Sequence, residues 1–239
     1  MRLKFLSIGL LFILFFIPEI CFAQSLGGSL TLGFPMDEFK ENVKRTGIGG
    51  SIQFLFWNPA PRMPYSFGIN AGYINYGSES RREPFSLTIP DVTVDVDRTN
   101  NIVNFHLMGQ IILPSGPLRP YLEFLVGGSY IFTETRITSS GSEEVASSTN
   151  FDDWAWSYGG GGGFLIRLMP NTNLGEKVGS IFLDLKVRYL YGTEAQYLKE
   201  GSVIVNRGSV FYDVSKSKTD LLTAHLGVVV YFGNLFAGD

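Results

Sequence analysis

Residues 153–169 read DWAWSYGGGGGFLIRLM, and two patterns of period two run through this stretch. Because successive side chains of a β-strand point to opposite faces, each pattern describes one face. One face is large and apolar and carries Trp154, Trp156, Tyr158, Gly160, Gly162, Phe164, Ile166 and Leu168. The other face is mostly small, ends in a charge and carries Ala155, Ser157, Gly159, Gly161, Gly163, Leu165, Arg167 and Met169. This contrast is typical of a transmembrane barrel strand, with lipid outside and a tightly filled lumen inside.

The same alternation recurs along the chain and predicts eight strands. They cover residues 25–34, 46–57, 65–77, 92–113, 120–137, 153–169, 181–191 and 220–233. The connections between them are alternately long or charged and short or rich in turn residues, as are the external loops and periplasmic turns of outer-membrane barrels. The sequence therefore predicts an all-β fold: an eight-stranded antiparallel up-and-down transmembrane β-barrel in the outer membrane, with both termini periplasmic.

The connections carry predictions of their own. Phe39 and Val43 lie four residues apart in a charged segment, which predicts one short helical turn that caps a mouth of the barrel. The polar segment 78–90 and the acidic, serine-rich segment before Asp152 are predicted loops. Residues 91–98 are expected to extend a strand above the membrane, because 92–113 exceeds the ~9–11 residues that a tilted strand needs to cross it. The longest connection, after strand seven, contains a predicted short hairpin.

The N-terminus has the features of a secretory signal peptide. Arg2 and Lys4 precede an apolar run over 5–17, and Ala23 ends the short segment that follows. The run is shorter than the ~20 residues of a spanning helix, so a signal peptide over 1–23 and a single barrel domain over 24–239 are predicted. The formal net charge of −3 gives no indication of nucleic-acid binding.

Strand seven carries three charges on one face while its other face is apolar, so these charges must point either to solvent or to a polar lumen. An eight-stranded barrel is just wide enough for side chains to fill it, and an unpaired buried charge is costly. We therefore expect a lumenal salt-bridge cluster on strands five to seven, formed by Glu123, Arg167, Asp184, Lys186 and Arg188. A structural plug is the simplest role for this cluster, and an ion path or proton relay is the alternative.

Aromatic residues collect at the predicted external ends of the strands. Rings at this depth form the girdle of a transmembrane barrel, at the level of the lipid headgroups. The predicted external girdle comprises Phe34, Tyr73, Phe132, Trp154, Trp156, Tyr189 and Tyr191.

Other motifs have simpler explanations than chemistry. The run of glycines over 159–163 lacks the spacing of a phosphate-binding loop and is explained by close strand packing and curvature. Asp91, Asp95 and Asp97 share a face and suit calcium, but a solvated surface explains them as well. His106 and His225 are both predicted to face inward, and no G-x-S-x-G motif occurs. No catalytic, cofactor-binding or metal site is predicted, and the chain is not expected to be an enzyme.

The alternating strands, the run PYLEFLVGG over 120–128 and the final strand over 226–232 resemble the OmpA/OmpX-like family of small outer-membrane β-barrels. The resemblance covers essentially all of the chain after residue 23. It implies a barrel in the outer membrane of a Gram-negative envelope, with lipid and the barrel-assembly machinery as partners, and it implies no activity. Members often end at an aromatic residue that this machinery recognises. Here Phe232 is followed by 233–239, so the signal is internal or uses Phe236.

Several functions fit this fold. The first is a non-enzymatic barrel with a structural or surface-interaction role, in which external loops bind an external ligand. The second is a narrow, porin-like pore or transporter whose lumenal Lys and Arg residues set its selectivity. The third is a lipid-modifying outer-membrane enzyme, which needs a His, a Ser and an acid near one rim. A soluble lipocalin-type barrel is the structural rival and requires the opposite polarity, with apolar residues inside.

Overall fold

The computed structural model describes residues 25–86, 89–113, 116–139, 144–169, 178–206 and 209–232. The predicted signal peptide, Phe236 and most of the turn expected after Met169 lie outside these ranges. Along the chain the elements are β1 (Ser25–Pro35), α1 (Asp37–Asn42), β2 (Gly47–Leu55), β3 (Tyr65–Ser86), β4 (Ile89–Ile112), β5 (Leu118–Ser139), β6 (Glu144–Met169), β7 (Val178–Gly192), β8 (Glu194–Tyr197), β9 (Val203–Asn206), β10 (Ser209–Tyr212), β11 (Ser215–Lys218) and β12 (Leu221–Phe232).

Strands β1 to β7 and β12 form a closed barrel of eight antiparallel strands. Each strand pairs with its neighbours in sequence, and β12 returns to pair with β1, with Gly28 opposite Val228. Closure leaves no free sheet edge within the barrel wall. The predicted eight-stranded up-and-down architecture is confirmed.

Side chains alternate between the barrel wall's two faces with polar groups inside. Along β4, Asn104, His106 and Gln110 are buried in the lumen, while Phe105 and Leu107 are exposed on the outer surface. A soluble lipocalin-type barrel would bury apolar residues and expose polar ones. The observed polarity is the reverse, which rules out that structural rival.

Four barrel strands continue well beyond the barrel wall as a protruding sheet. Ser80 pairs with Asp97 of β4, Asp97 with Arg136 of β5, and Arg136 with Ser147 of β6. The prediction of loops over 78–90 and before Asp152 is therefore wrong for the described parts of both segments. Polar residues occupy both faces of this sheet, so the alternation that indicates a half-buried strand is missing.

The connection between β7 and β12 holds two small sheets on the same side as the protrusion. The predicted hairpin is present as β9 and β10. The pairing of β8 with β11, with Ala195 opposite Ser217, was not predicted. The predicted helical turn is α1, and both Phe39 in it and Val43 just after it are buried.

Candidate functional site

A bidentate ion pair spans the middle of the lumen. The Arg188 guanidinium on β7 donates from Nε to Glu123 Oε1 on β5 (2.6 Å) and from Nη2 to Glu123 Oε2 (3.1 Å). Its Nη1 donates to Asn70 Oδ1 on β3 at 3.0 Å. Glu123 is 0 % exposed and Arg188 is 2 % exposed. The pair links three strands across the barrel, and its geometry is the strong fork arrangement of arginine with a carboxylate.

A second ion pair lies beside the first and connects the network to Gln53 on β2 and to Tyr121 on β5. Lys186 Nζ donates to Asp184 Oδ2 at 2.9 Å and also to the amide oxygen of Gln53 on β2. The Tyr121 hydroxyl donates to Asp184 Oδ1 at 2.5 Å. Each of the four charges in this network therefore has an oppositely charged partner and a further polar contact, as burial in a lumen requires.

Arg167 does not join this network, and its predicted place in the cluster is wrong. It lies opposite Phe182 in the sheet, while Asp184 lies opposite Leu165, so Arg167 is one layer nearer the barrel end. Its Nη2 donates to the Gly116 carbonyl oxygen at 3.2 Å, and its guanidinium carbon is 5.7 Å from the centre of the Phe182 ring. The inward direction of the Arg167 side chain was predictable from the alternation. Its depth in the lumen depends on strand register, which the alternation does not give.

Apolar layers separate the charged network from both mouths. On the α1 side, Phe39 is fully buried and makes edge contacts with Tyr76 and Tyr197, with ring centroids 5.8 and 5.1 Å away. On the opposite side, the buried layer consists of Ile112, Tyr121, Leu165, Phe182, Val229 and Tyr231. The charges therefore lie between two apolar layers, and an ion in transit would have to lose its water at each layer.

Both histidines face the lumen and bond to hydroxyl groups. His225 Nδ1 is 3.0 Å from Thr31 Oγ1, and its Nε2 is 2.9 Å from Thr223 Oγ1. His106 Nε2 is 3.0 Å from Ser157 Oγ, a pairing across non-adjacent strands that no sequence pattern indicates. A Ser–His pair is the core of many nucleophilic sites. Here the His106 Nδ1 atom has no hydrogen-bond partner among the described residues, and both side chains are buried away from either rim.

The outer surface carries an apolar belt with aromatic rings at both ends. All seven residues of the predicted girdle lie at the α1 end: Tyr73, Trp154, Trp156 and Tyr191 are exposed, and Phe34, Phe132 and Tyr189 are half-buried. Tyr130 and Tyr158 stack on two of them and were missed. A second aromatic group at the other end, also missed, contains Phe56, Trp57, Tyr65 and Phe67.

The height of the belt follows from strand geometry. Trp156 and Ile166 both face outward on β6. Their separation in sequence, at ~3.3 Å per residue and a tilt of about 40°, gives roughly 25 Å along the barrel axis. This is the height of the apolar band in transmembrane β-barrels.

The protruding part of the molecule is charged and locally paired. Arg82 Nε donates to Asp95 Oδ1 at 3.1 Å, so one of the carboxylates considered for calcium has an arginine partner. On the β8 and β11 sheet, the hydrogen bond from Lys216 and its positive charge lower the pKa of Glu194. No group of three or more potential metal ligands occurs within the described ranges. None of the helices found there is long and apolar enough to cross a membrane.

Comparisons with known proteins give only distant structural likenesses. No protein-family model matches the chain, and no curated protein matches it significantly. The Neisserial surface protein A structure is 11 % identical with a TM-score of 0.40, covering 87 % of this chain and 96 % of that one. Ail, the attachment invasion locus protein of Yersinia pestis, is 13 % identical with a TM-score of 0.38, covering 88 % and 99 %. A major outer membrane protein from Thermus thermophilus is 15 % identical with a TM-score of 0.41, covering 88 % and 100 %.

Identities and TM-scores this low transfer no role to this chain. The resemblance to small outer-membrane barrels holds at the level of the fold, which the closed eight-stranded barrel itself displays.

Proposed function

We propose that the mature chain is a non-conducting outer-membrane β-barrel with a structural or surface-interaction role. The observation that carries the proposal is the inverted polarity of the barrel. Leu30, Ile48 and Trp156 are among its most exposed large apolar residues, while Glu123 and Arg188 are among its most buried residues. Such a surface is stable when lipid surrounds it, since an apolar belt of this size is not tolerated on a monomer in water.

The orientation in the membrane is part of the proposal. Both described chain ends lie at one mouth, since Ser25 pairs with Tyr231, and α1 lies at the other. Outer-membrane barrels carry their long connections outside and short turns in the periplasm. By this rule the α1 mouth and the protruding sheet are external, and both termini are periplasmic. In this proposal the signal peptide over 1–23 directs export, and the barrel-assembly machinery then inserts the chain in this topology.

The surface-interaction role rests on the protruding sheet. β3 to β6 extend it far beyond the aromatic girdle, and its described side chains are mostly charged or hydroxylated. A barrel needs no such extension to be stable in a membrane, because the wall closes below it. A paired polar sheet at this position is suited to contact with a ligand or cell surface outside.

The membrane position is tested by fluorescence quenching with brominated lipids. The chain has three tryptophans, with Trp57 near one end of the belt and Trp154 and Trp156 near the other. A variant retaining only Trp57 and a variant retaining only Trp156, both refolded in vesicles, are compared. Each is expected to be quenched more by bromines near the headgroups than by bromines near the chain ends, because both rings lie at belt ends.

The controls separate insertion from surface binding. Heat-shifted mobility on a gel identifies folded barrels in each sample before quenching is measured. Strongest quenching of either ring at mid-bilayer would contradict the assigned belt. A mature chain that stays soluble without detergent and shows no quenching at any depth would contradict the membrane location itself.

The narrow pore is the second candidate function, because Lys186 and Arg188 do line the lumen. It requires the apolar layers on both sides of these charges to open. It also predicts an ionic current that changes when either charge is removed, and single-channel conductance of the refolded protein measures this current.

A further inference from the structure

A small cationic cavity lies at the α1 mouth, apart from the charged network of the lumen. Its volume is about 190 Å³, and it is lined by Asn42, Val43, Lys44, Arg45, Tyr76, Asn100, Lys199 and Glu200. Three segments that are distant in sequence contribute to it: the turn after α1, the start of the protruding sheet, and the connection after β8. At about 30 Å³ per water, this space holds roughly six water molecules, enough for a compact polar group.

The charges that line the cavity do not cancel. Glu200 is satisfied by an ion pair with Arg45 and by the backbone N–H of Ser78, which donates to Glu200 Oε1 at 3.0 Å. Lys44 and Lys199 form no ion pair within the parts of the chain that the structure describes. The cavity therefore has two uncompensated ammonium groups, and it favours an anion of matching charge.

An amide donor in the lining suits the same kind of ligand. Asn100 is 5 % exposed, and its Oδ1 already accepts a hydrogen bond from Thr133 Oγ1 at 2.8 Å. Its Nδ2 makes no hydrogen bond within the described ranges and is not one of the solvent-inaccessible unpaired atoms there, so it is open to an acceptor from water or from a ligand.

Gly77 packs closely against this amide and against Glu200. A Cβ atom at position 77 would lie 2.8 Å from Asn100 Nδ2 and 3.3 Å from Glu200 Cγ. A larger side chain here would push against Asn100 or Glu200, both of which line the cavity. Asn100, Lys44 and Lys199 thus all belong to the lining of one small volume.

We propose that this cavity binds a phosphate group, either as a free solute or as part of a lipid headgroup. Phosphate carries a charge of about −1.5 to −2 near neutral pH and several strong acceptor oxygens, which match two ammonium groups and an amide donor better than a single carboxylate does. The inference deepens the proposed surface-interaction role. The biological meaning of phosphate binding rests on that proposed role, whereas the ability of the cavity to bind phosphate does not depend on it.

Binding is measured on the refolded mature barrel in non-ionic detergent, by calorimetric titration with inorganic phosphate at constant ionic strength. We expect saturable binding that Lys44→Gln with Lys199→Gln weakens by about tenfold or more. Gly77→Ala is expected to weaken it as well, without any change in charge. Lys216→Gln is the matched control, because it removes one positive charge at the same mouth outside the cavity, and it should change affinity by less than about twofold.

A second titration distinguishes the two sources of phosphate. If short-chain phosphatidic acid binds more tightly than inorganic phosphate and phosphate displaces it, the ligand is a headgroup. If only inorganic phosphate binds, the ligand is a free solute.

The absence of saturable binding by both probes would overturn the proposal. So would an equal loss in the Lys216→Gln control, which would show diffuse surface charge only. Heat-shifted gel mobility confirms that each variant is folded, so a failure to bind is distinct from a failure of the barrel proposed above.

Discussion

Arg188 is the residue on which the lumenal network depends most, because its one guanidinium contacts Glu123, Asn70 and Met108. Arg188→Ala would leave the fully buried Glu123 carboxylate without its cation. We expect a loss of about 3–5 kcal/mol in the free energy of unfolding, the usual cost of breaking a buried pair. Urea unfolding of the barrel in phospholipid vesicles measures this loss.

The same measurement on two other variants separates charge from packing. Glu123→Gln combined with Arg188→Met removes both charges and keeps most of the volume, so much of the lost stability should return. Arg82→Ala removes an arginine from an exposed pair with Asp95 and should cost no more than about 1 kcal/mol. Equal losses for Arg82→Ala and Arg188→Ala would refute the assignment of the buried pair as the main polar contact.

Inward glycines let neighbouring strands approach closely. A Cβ atom on Gly161 would overlap the Val187 carbonyl oxygen, and backbone cannot move aside as a side chain can. Gly161→Ala should therefore destabilise the barrel by about 1–3 kcal/mol or more, measured by the same urea unfolding. Gly28 faces outward with no atom within 4 Å of an added Cβ, so Gly28→Ala should be neutral or stabilising by about 0.5–1 kcal/mol. If Gly161→Ala and Gly28→Ala lowered the free energy of unfolding by similar amounts, close strand contact at the inward glycine would not be the reason for the loss.

At the scale of the element, the barrel strands were predictable because each has one lipid-type face and one lumen-type face. β12 alternates in burial along its full length, and its sequence shows the same alternation. The extensions of β3 and β6 were missed because solvent contacts both of their faces, so no periodicity marks them. The pairing of β8 with β11 and the contact of His106 with Ser157 depend on register and closure, which no local pattern encodes.

The protruding part of β3 and β4 is predicted to be dispensable for folding. Beyond Ser80 and Asp97 these strands pair only within the protruding sheet, while the barrel wall closes below them. A variant that joins Ser80 to Asp97 through an Asn-Gly turn should still form a barrel, because this dipeptide favours a tight hairpin. Heat-shifted gel mobility of the refolded variant checks this.

Replacing Ile102 by Asp is the matched control for this truncation. It places an unpaired charge in the buried apolar layer at the α1 mouth and should abolish the shift. A truncated variant that also fails to shift would show that the extension is part of the folding unit.

At the scale of the whole molecule, the barrel combines a lipid-type exterior with an interior filled by side chains. The apolar layers at each mouth enclose the Glu123 and Arg188 pair. The proposed phosphate cavity borders the layer on the α1 side through Val43 and Tyr76 and does not include the Glu123 and Arg188 pair, so ligand binding there does not require a conducting lumen. The external surface, and not the pore axis, is therefore where we place the function.

Single-channel conductance of the refolded mature protein in a planar bilayer tests this claim most directly. The wild type should be silent across the range of applied voltages, because its lumen is filled by paired charges between apolar layers. The variants Lys186→Ala and Arg188→Ala are measured beside it. Discrete openings of the wild type, with a conductance or ion selectivity that changes in either variant, would contradict the plugged barrel and establish a pore instead.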